Sequence, residues 1–96
     1  MMDSDGLFSD FFDTIVDDPR IGTTHIVIYL ALLNEWKRQG CPVSMEVATF
    51  EVLRYIKIRK RDTYLLRLKD LALFGYLRYT PAENEYIKAM IEFKKL

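Results

Sequence analysis

The stretch that decides the fold reads KIRKRDTYLLRLKDLALFGYL and covers residues 57–77. Its apolar positions Tyr64, Leu68 and Leu71 recur at three- and four-residue spacing, which predicts one buried face of an amphipathic helix. The helix is expected to begin at residues 60–62. Gly75 is expected to end it, because glycine readily adopts the left-handed conformation that follows many helix C-termini.

A β-hairpin is expected after this helix. Residues 76–80 are aromatic and β-branched, and residues 86–93 alternate in part, as strands do. Pro81, Glu83 and Asn84 lie between the two segments and are typical of a turn.

Two helices are predicted before residue 57. Residues 26–33 are apolar all round, so their helix must be buried on more than one side; Thr23 or Thr24 can cap it, and Gly40 closes it. Ser44 can cap a shorter helix over residues 45–54, because its hydroxyl oxygen can accept free backbone N–H groups. Residues 41–43 are extended and could form a very short strand.

The chain is expected to start with another amphipathic helix. Apolar residues recur at helical spacing over residues 7–16, Ser4 or Asp5 can cap the helix, and Pro19 disfavours its continuation. No apolar partner lies nearby in sequence, so this helix must pack on the core or on a second subunit. We therefore divide the chain into the N-terminal helix, residues 1–18, and a domain of residues 20–96.

Charge is divided along the chain although the formal net charge is zero. Residues 1–53 hold 3 basic and 9 acidic residues, a net charge of −6, and the remainder carries +6. Seven basic residues lie between Arg54 and Lys69, with Asp62 as the only acid among them. Such a cluster at a helix start suits contact with nucleic-acid phosphate, although basic runs are also common on plain solvated faces.

Enzymatic and metal-dependent functions have little support in the sequence. Cys41 is the only cysteine and His25 the only histidine, so no metal site is expected. No glycine-rich phosphate loop is present, so neither a cofactor nor a small-molecule substrate is expected. The acidic N-terminus lacks the positive region of a signal peptide, and the longest apolar run is too short to cross a bilayer. A cytoplasmic protein without membrane contact is expected.

The order helix, short strand, helix, tight turn, helix, hairpin is that of a winged helix-turn-helix. Residues 24–32, 42–44, 57–64, 68–71 and 74–77 together resemble small winged-helix proteins carried on mobile elements of Bacteroides-type bacteria. Those proteins in turn resemble the DNA-binding domains of replication initiators and transcriptional regulators. The resemblance implies a mainly α fold with a small β-hairpin: a three-helix core plus wing, here with an extra N-terminal amphipathic helix.

In such a fold the third core helix lies in the DNA major groove and the wing meets the flanking backbone. The resemblance places Lys60, Arg61, Asp62 and Leu65 near base edges, and Arg59 and Thr63 near phosphate. Lys57 and Arg78 become backbone contacts, and Lys69 lies on the outward face of the helix. The acidic Glu83 and Glu85 at the wing tip have the wrong sign for phosphate.

Leu66 and Leu73 fall almost opposite the buried Leu71 when residues are placed 100° apart on a helix. Either a curved or shifted helix buries them, or they form a subunit interface. We expect Phe8, Phe11 and Phe12 of the N-terminal helix to contribute to the interface of a homodimer as well.

The function expected from the sequence is non-enzymatic binding of double-stranded DNA, as a transcriptional regulator or as a replication or transfer accessory factor of a mobile element. The alternative is a winged-helix module that binds other proteins without binding DNA.

Overall fold

A computed structural model describes residues 3–54, 56–84 and 87–96. Within them the chain is a small α/β protein with four helices and one three-stranded antiparallel sheet. The elements are α1 (Ser4–Ile15), α2 (Thr23–Arg38), β1 (Met45–Val47), α3 (Thr49–Leu53), α4 (Arg61–Leu73), β2 (Leu77–Thr80) and β3 (Ala89–Phe93). No helix in this part of the chain is both long and apolar enough to span a membrane. The expected roles of Glu85 in the hairpin loop and Tyr86 in its second strand fall outside the described residues.

Helix α4 agrees with the sequence prediction. It starts at Arg61, and Tyr64, Leu68 and Leu71 are buried. Gly75 follows the C-cap residue Phe74 with φ of 89°, a backbone conformation that costs little only for glycine. The helical spacing therefore predicted the buried face, and Gly75 predicted the C-terminal limit.

Helix α2 is also confirmed, but its predicted cap is wrong. Gly22 is the N-cap residue, and neither Thr23 nor Thr24 has that position. The backbone N–H of Gly22 donates to Nδ1 of the buried His25 at 2.9 Å. A ring nitrogen at N3 thus takes the place of the Glu or Gln oxygen that usually accepts the N-cap N–H. Gly40, with φ of 83°, follows the helix end as expected.

The segment after α2 corrects two predictions. Residues 41–43 form no strand, and Met45–Val47, expected at the start of a helix, is strand β1. Met45 and Val47 are buried and Glu46 is exposed, the period-two alternation of a strand with one face on the core. Helix α3 is consequently only Thr49–Leu53, and Ser44 caps nothing.

The sheet places its last strand in the middle, in the order β1-β3-β2. Strand β3 pairs antiparallel with β1 through Met45 opposite Ile91 and with β2 through Leu77 opposite Phe93. Ala89, Ile91 and Phe93 are buried, so one face of β3 lies on the core. The predicted hairpin of β2 and β3 is confirmed.

Helix α1 packs into the core of its own chain. Its N-cap is Asp3, not Ser4 or Asp5: an Asp3 carboxylate oxygen accepts the N–H of Gly6 at 2.6 Å. Leu7 and Phe11 are buried, and the Phe11 ring stacks on Tyr29 of α2 with centroids 3.8 Å apart. The expectation that Phe11 contributes to a subunit interface is therefore wrong, because the core that includes α2 covers it.

The linker between α1 and α2 is fixed by Asp18. Its carboxylate accepts hydrogen bonds from the Arg20 guanidinium at 2.8 Å and from the Tyr76 hydroxyl at 2.7 Å. The bonds from Arg20 and Tyr76 hold the pKa of Asp18 well below its ordinary value, while burial and the bond to Asp18 raise the pKa of Tyr76 to about 12. Arg20 also lies over the Phe74 ring, 4.2 Å from its centroid.

We predict that Phe11→Ala lowers the free energy of unfolding by about 3–5 kcal/mol, the range for truncation of a buried phenylalanine. Phe8→Ala is the matched control on the same helix, because Phe8 is 48% exposed. Urea denaturation of the two variants measures the difference. Equal losses would mean that α1 does not pack as described.

A second prediction concerns pH. The lowered pKa of Asp18 contributes stability that is present above its ordinary value of 3.8 and is lost as the pH falls below that value. Asp18→Asn should therefore lower the melting temperature at neutral pH, and its difference from the parent should shrink steadily in acid. Asp17→Asn, at an exposed neighbour, is the control and should show little change at either pH. A difference for Asp18→Asn that does not vary with pH would contradict the assignment.

Candidate nucleic-acid interface

A cluster of free cations leads into α4. Lys57, Arg59, Lys60 and Arg61 are exposed, and none forms an ion pair with another described residue. Lys60 is the N-cap of α4, and no side chain caps the first turn. Free backbone N–H groups and unpaired positive side chains therefore meet at one end of one helix.

Other cations of the predicted site are already paired. Arg67 contacts Asp70 at 2.8 Å, and Arg78 on β2 contacts Glu92 on β3 at 3.7 Å. The structure thus separates the basic run into free residues before and at the start of α4 and a paired residue in its middle. Lys69, two residues after Arg67, is exposed and has no ion pair within the described residues.

Asp70 attaches the middle of α4 to α2. Its carboxylate also lies 2.9 Å from Nε2 of His25. Because Nδ1 of His25 accepts from Gly22, Nε2 carries the ring proton and donates it to Asp70. This bond and the buried Tyr64, Leu68 and Leu71 together hold α4 in the orientation that leaves its other side chains facing outward.

The outward face of α4 combines charge with exposed leucines. Asp62 and Lys69 are exposed, Leu66 is 52% exposed and Leu73 is 81% exposed. The alternative in which a curved helix buries both leucines is therefore wrong. Leu65 is half-buried, as is Thr63 on the flank, so they are less accessible than the residues around them.

One edge of α4 borders a groove. Arg61, Leu65 and Lys69 lie one turn apart and face the hairpin across a space of about 410 Å³, which Tyr79 and Ile87 also line. Burial raises the pKa of Tyr79, against the opposing effect of Arg61. This edge of α4 and the hairpin together form one concave surface, with Arg61 and Lys69 as its charged residues on α4.

Phe50 is a surface residue of the same groove that has no counterpart among the predicted site residues. It was expected on the apolar side of a longer helix, but α3 is short and the ring is 68% exposed. Its exposure depends on the strand at Met45–Val47, which shifts the start of the helix. Only the pairing of β1 with β3, distant in sequence, could have revealed it.

Comparisons with protein-family models, with curated proteins and with solved structures found no match to this chain.

We predict that Leu66→Lys combined with Leu73→Lys leaves the fold intact, with a change in unfolding free energy of about 0.5 kcal/mol or less per site, as for most surface substitutions. Leu68→Lys on the same helix is the matched control and should cost several kcal/mol, because Leu68 is buried. Thermal melts compare the two. A large loss in the double variant would place the leucines in the core after all.

Proposed function

We propose that this protein is a winged helix-turn-helix that binds double-stranded DNA and has no catalytic role. In this assignment α2, α3 and α4 are the three core helices, and the hairpin of β2 and β3 is the wing. The order of elements supports it, as does a sheet in which the strand after the first core helix pairs with the last strand. Helix α1 is an addition to this core.

The observation that carries the proposal is the free cation cluster at the start of α4. Lys57, Arg59, Lys60 and Arg61 are exposed without partners in the described part of the chain, whereas Arg67, Arg78 and Lys88 are paired with acids. Unpaired cations bind phosphate without first breaking an ion pair, and each one that neutralises a phosphate releases a counterion. The uncapped first turn of α4 adds backbone N–H groups that can bind phosphate directly.

Helix α4 suits insertion into DNA. Its 13 residues give a length of about 20 Å, and a helix fits the major groove, which is about 12 Å wide. With α4 in the groove, Lys60, Arg61 and Asp62 approach base edges, and the half-buried Leu65 lies beside them. A bidentate contact from Arg61 to guanine would contribute about 1–3 kcal/mol of discrimination.

The remaining residues expected at DNA have subordinate roles in the proposal. Lys57 and Arg59 lie before the helix, where they can follow the phosphate backbone. Arg78 can reach DNA only by leaving Glu92, and the exposed Glu83 in the hairpin loop keeps that loop from close contact with phosphate. The regulatory or mobile-element role expected for such a protein rests on the family resemblance alone.

A protein-interaction module is the second candidate, because Leu66, Leu73 and Phe50 expose large apolar surfaces on or near α4. Salt separates the two functions. DNA binding weakens steeply as salt rises, whereas an apolar contact hardly responds. A symmetric homodimer, as expected from the sequence, would have to use residues of α1 other than Leu7 and Phe11, because both are buried within their own chain.

The test is Lys60→Ala combined with Arg61→Ala in a fluorescence-anisotropy titration against random duplex at two salt concentrations. We expect weaker binding and a salt slope smaller by about 1 for each phosphate that the variant no longer neutralises. The control is Lys94→Ala combined with Lys95→Ala, which also removes two positive charges. These exposed residues lie at the open end of the hairpin, directly after Phe93, which pairs with Leu77. This control should bind like the parent. Equal affinities and slopes for the two double variants would reject the site.

A further inference from the structure

We propose that copies of this chain associate head to tail, with Leu73 of one copy inserted between α1 and α2 of the next. The contact is distinct from DNA binding, since it uses the C-terminal end of α4 and a groove between α1 and α2. It follows from three features of the surface: an exposed apolar side chain, a groove that fits it, and the division of charge between the two.

Leu73 is the inserting side chain. It is the last residue of α4 and is 81% exposed, and Leu66, two turns earlier, is 52% exposed. Leu73 follows Arg61 by twelve residues, about 18 Å along the helix axis at 1.5 Å per residue. The basic start of α4 and its apolar end are therefore far enough apart to bind different partners.

The receiving groove lies between α1 and α2. Phe8, Leu30 and Leu33 form its apolar lining, and Asp5, Asn34 and Lys37 complete its boundary. Its volume of about 240 Å³ is several times the ~30 Å³ share of one water molecule, so a four-carbon leucine side chain fits. Because Phe8 is 48% exposed, the groove presents an aromatic wall for the leucine to contact.

Charge decides which surfaces meet. Asp5 and Asp13 of α1 are exposed and have no ion pair in the described part of the chain, and the same holds for Lys69, one turn before Leu73. A symmetric contact through α1 would bring these acids together, and a symmetric contact through the C-terminal end of α4 would oppose two copies of Lys69. Contact between unlike surfaces pairs Lys69 with Asp5 on the α1 side of the groove, with Lys69 directed away from Lys37 on the α2 side. The net charge of −6 over residues 1–53 and +6 over the remainder favours the same arrangement.

A contact between unlike surfaces leaves each copy with one free leucine and one free groove. Association is then open-ended unless the rotation between copies closes a ring. The mean mass should rise continuously with protein concentration, and salt should weaken the association in part, because it screens the charged rim.

The experiment is sedimentation equilibrium of the full chain without DNA. Leu73→Asp removes the inserting side chain, and Phe8→Asp disrupts the groove. Each variant alone should self-associate at least about tenfold more weakly, and should sediment as a monomer at concentrations where the parent associates. An equimolar mixture restores one intact contact, between the Leu73 of one variant and the groove of the other. The mixture should therefore form heterodimers and nothing larger.

Asn34→Arg, at the exposed rim of the groove, replaces Phe8→Asp in the mixture if thermal melts show that Phe8→Asp unfolds the chain. Val43→Asp is the matched control, because Val43 is 83% exposed in the loop before β1 and lies outside both surfaces. It should associate like the parent. Lys60→Ala with Arg61→Ala should also associate normally, so a failure of DNA binding and a failure of this contact are distinguishable.

Three results would overturn the proposal: a parent chain that stays monomeric at millimolar concentration, a variant mixture that stays monomeric, or equal loss of association in Val43→Asp. The second would indicate a symmetric contact, in which no mixture of the two variants regains an intact interface. The third would indicate non-specific apolar association.

Discussion

The packing of Tyr29 is the contact on which the rest of the structure depends. Its ring stacks on Phe11 of α1 and packs edge-on against Phe93 of β3, with centroids 5.3 Å apart. One side chain of α2 thus joins α1, α2 and the middle strand of the sheet. Phe11 also packs edge-on against Tyr76, at the entry to β2. The Tyr29 hydroxyl is buried with no hydrogen-bond partner in the described part of the chain, and burial raises its pKa. The ring contacts must therefore outweigh the cost of about 1–3 kcal/mol for an unsatisfied buried polar group.

This core determines what α4 can present to solvent. Its buried face packs on α2 and the sheet, and Asp70 is hydrogen-bonded to His25 of α2. The opposite face must then be solvent-exposed, whatever residues occupy it. The chain has placed cations at the start of that face and Leu73 at its end, with Leu66 and Lys69 between them, so a single helix offers two chemically different ends.

Local patterns predicted the elements whose determinants lie within a few residues. The spacing of Tyr64, Leu68 and Leu71 defined α4, and glycines marked the ends of α2 and α4. Helical geometry also placed Leu66 and Leu73 opposite the buried face, but the sequence left open whether a curved helix buries them, and the structure shows both exposed.

Interactions between distant residues account for what local patterns missed. Met45–Val47 contains only one β-branched residue and reads equally well as helix, and it is a strand because β3 pairs with it more than forty residues later. The packing partner of α1 was likewise ambiguous between its own core and a second subunit, because the pattern of residues 7–16 does not reveal that Phe11 stacks on Tyr29. Arg78 and Lys88 pair with acids that lie on other elements of the fold. Glu92, for example, meets Arg78 only once the hairpin has formed.

The central position of β3 has a consequence for the folding of the chain during synthesis. Neither β1 nor β2 has a strand neighbour until Ala89–Phe93 has left the ribosome, because β3 is the strand to which both pair. The helices can associate earlier, but Tyr29 and Trp36 remain without Phe93, which packs against both rings. Contacts this distant in sequence slow folding and leave strand edges open in the meantime. A nascent chain that stalls shortly before residue 89 would therefore present two unpaired strands and an incomplete aromatic core to chaperones and proteases.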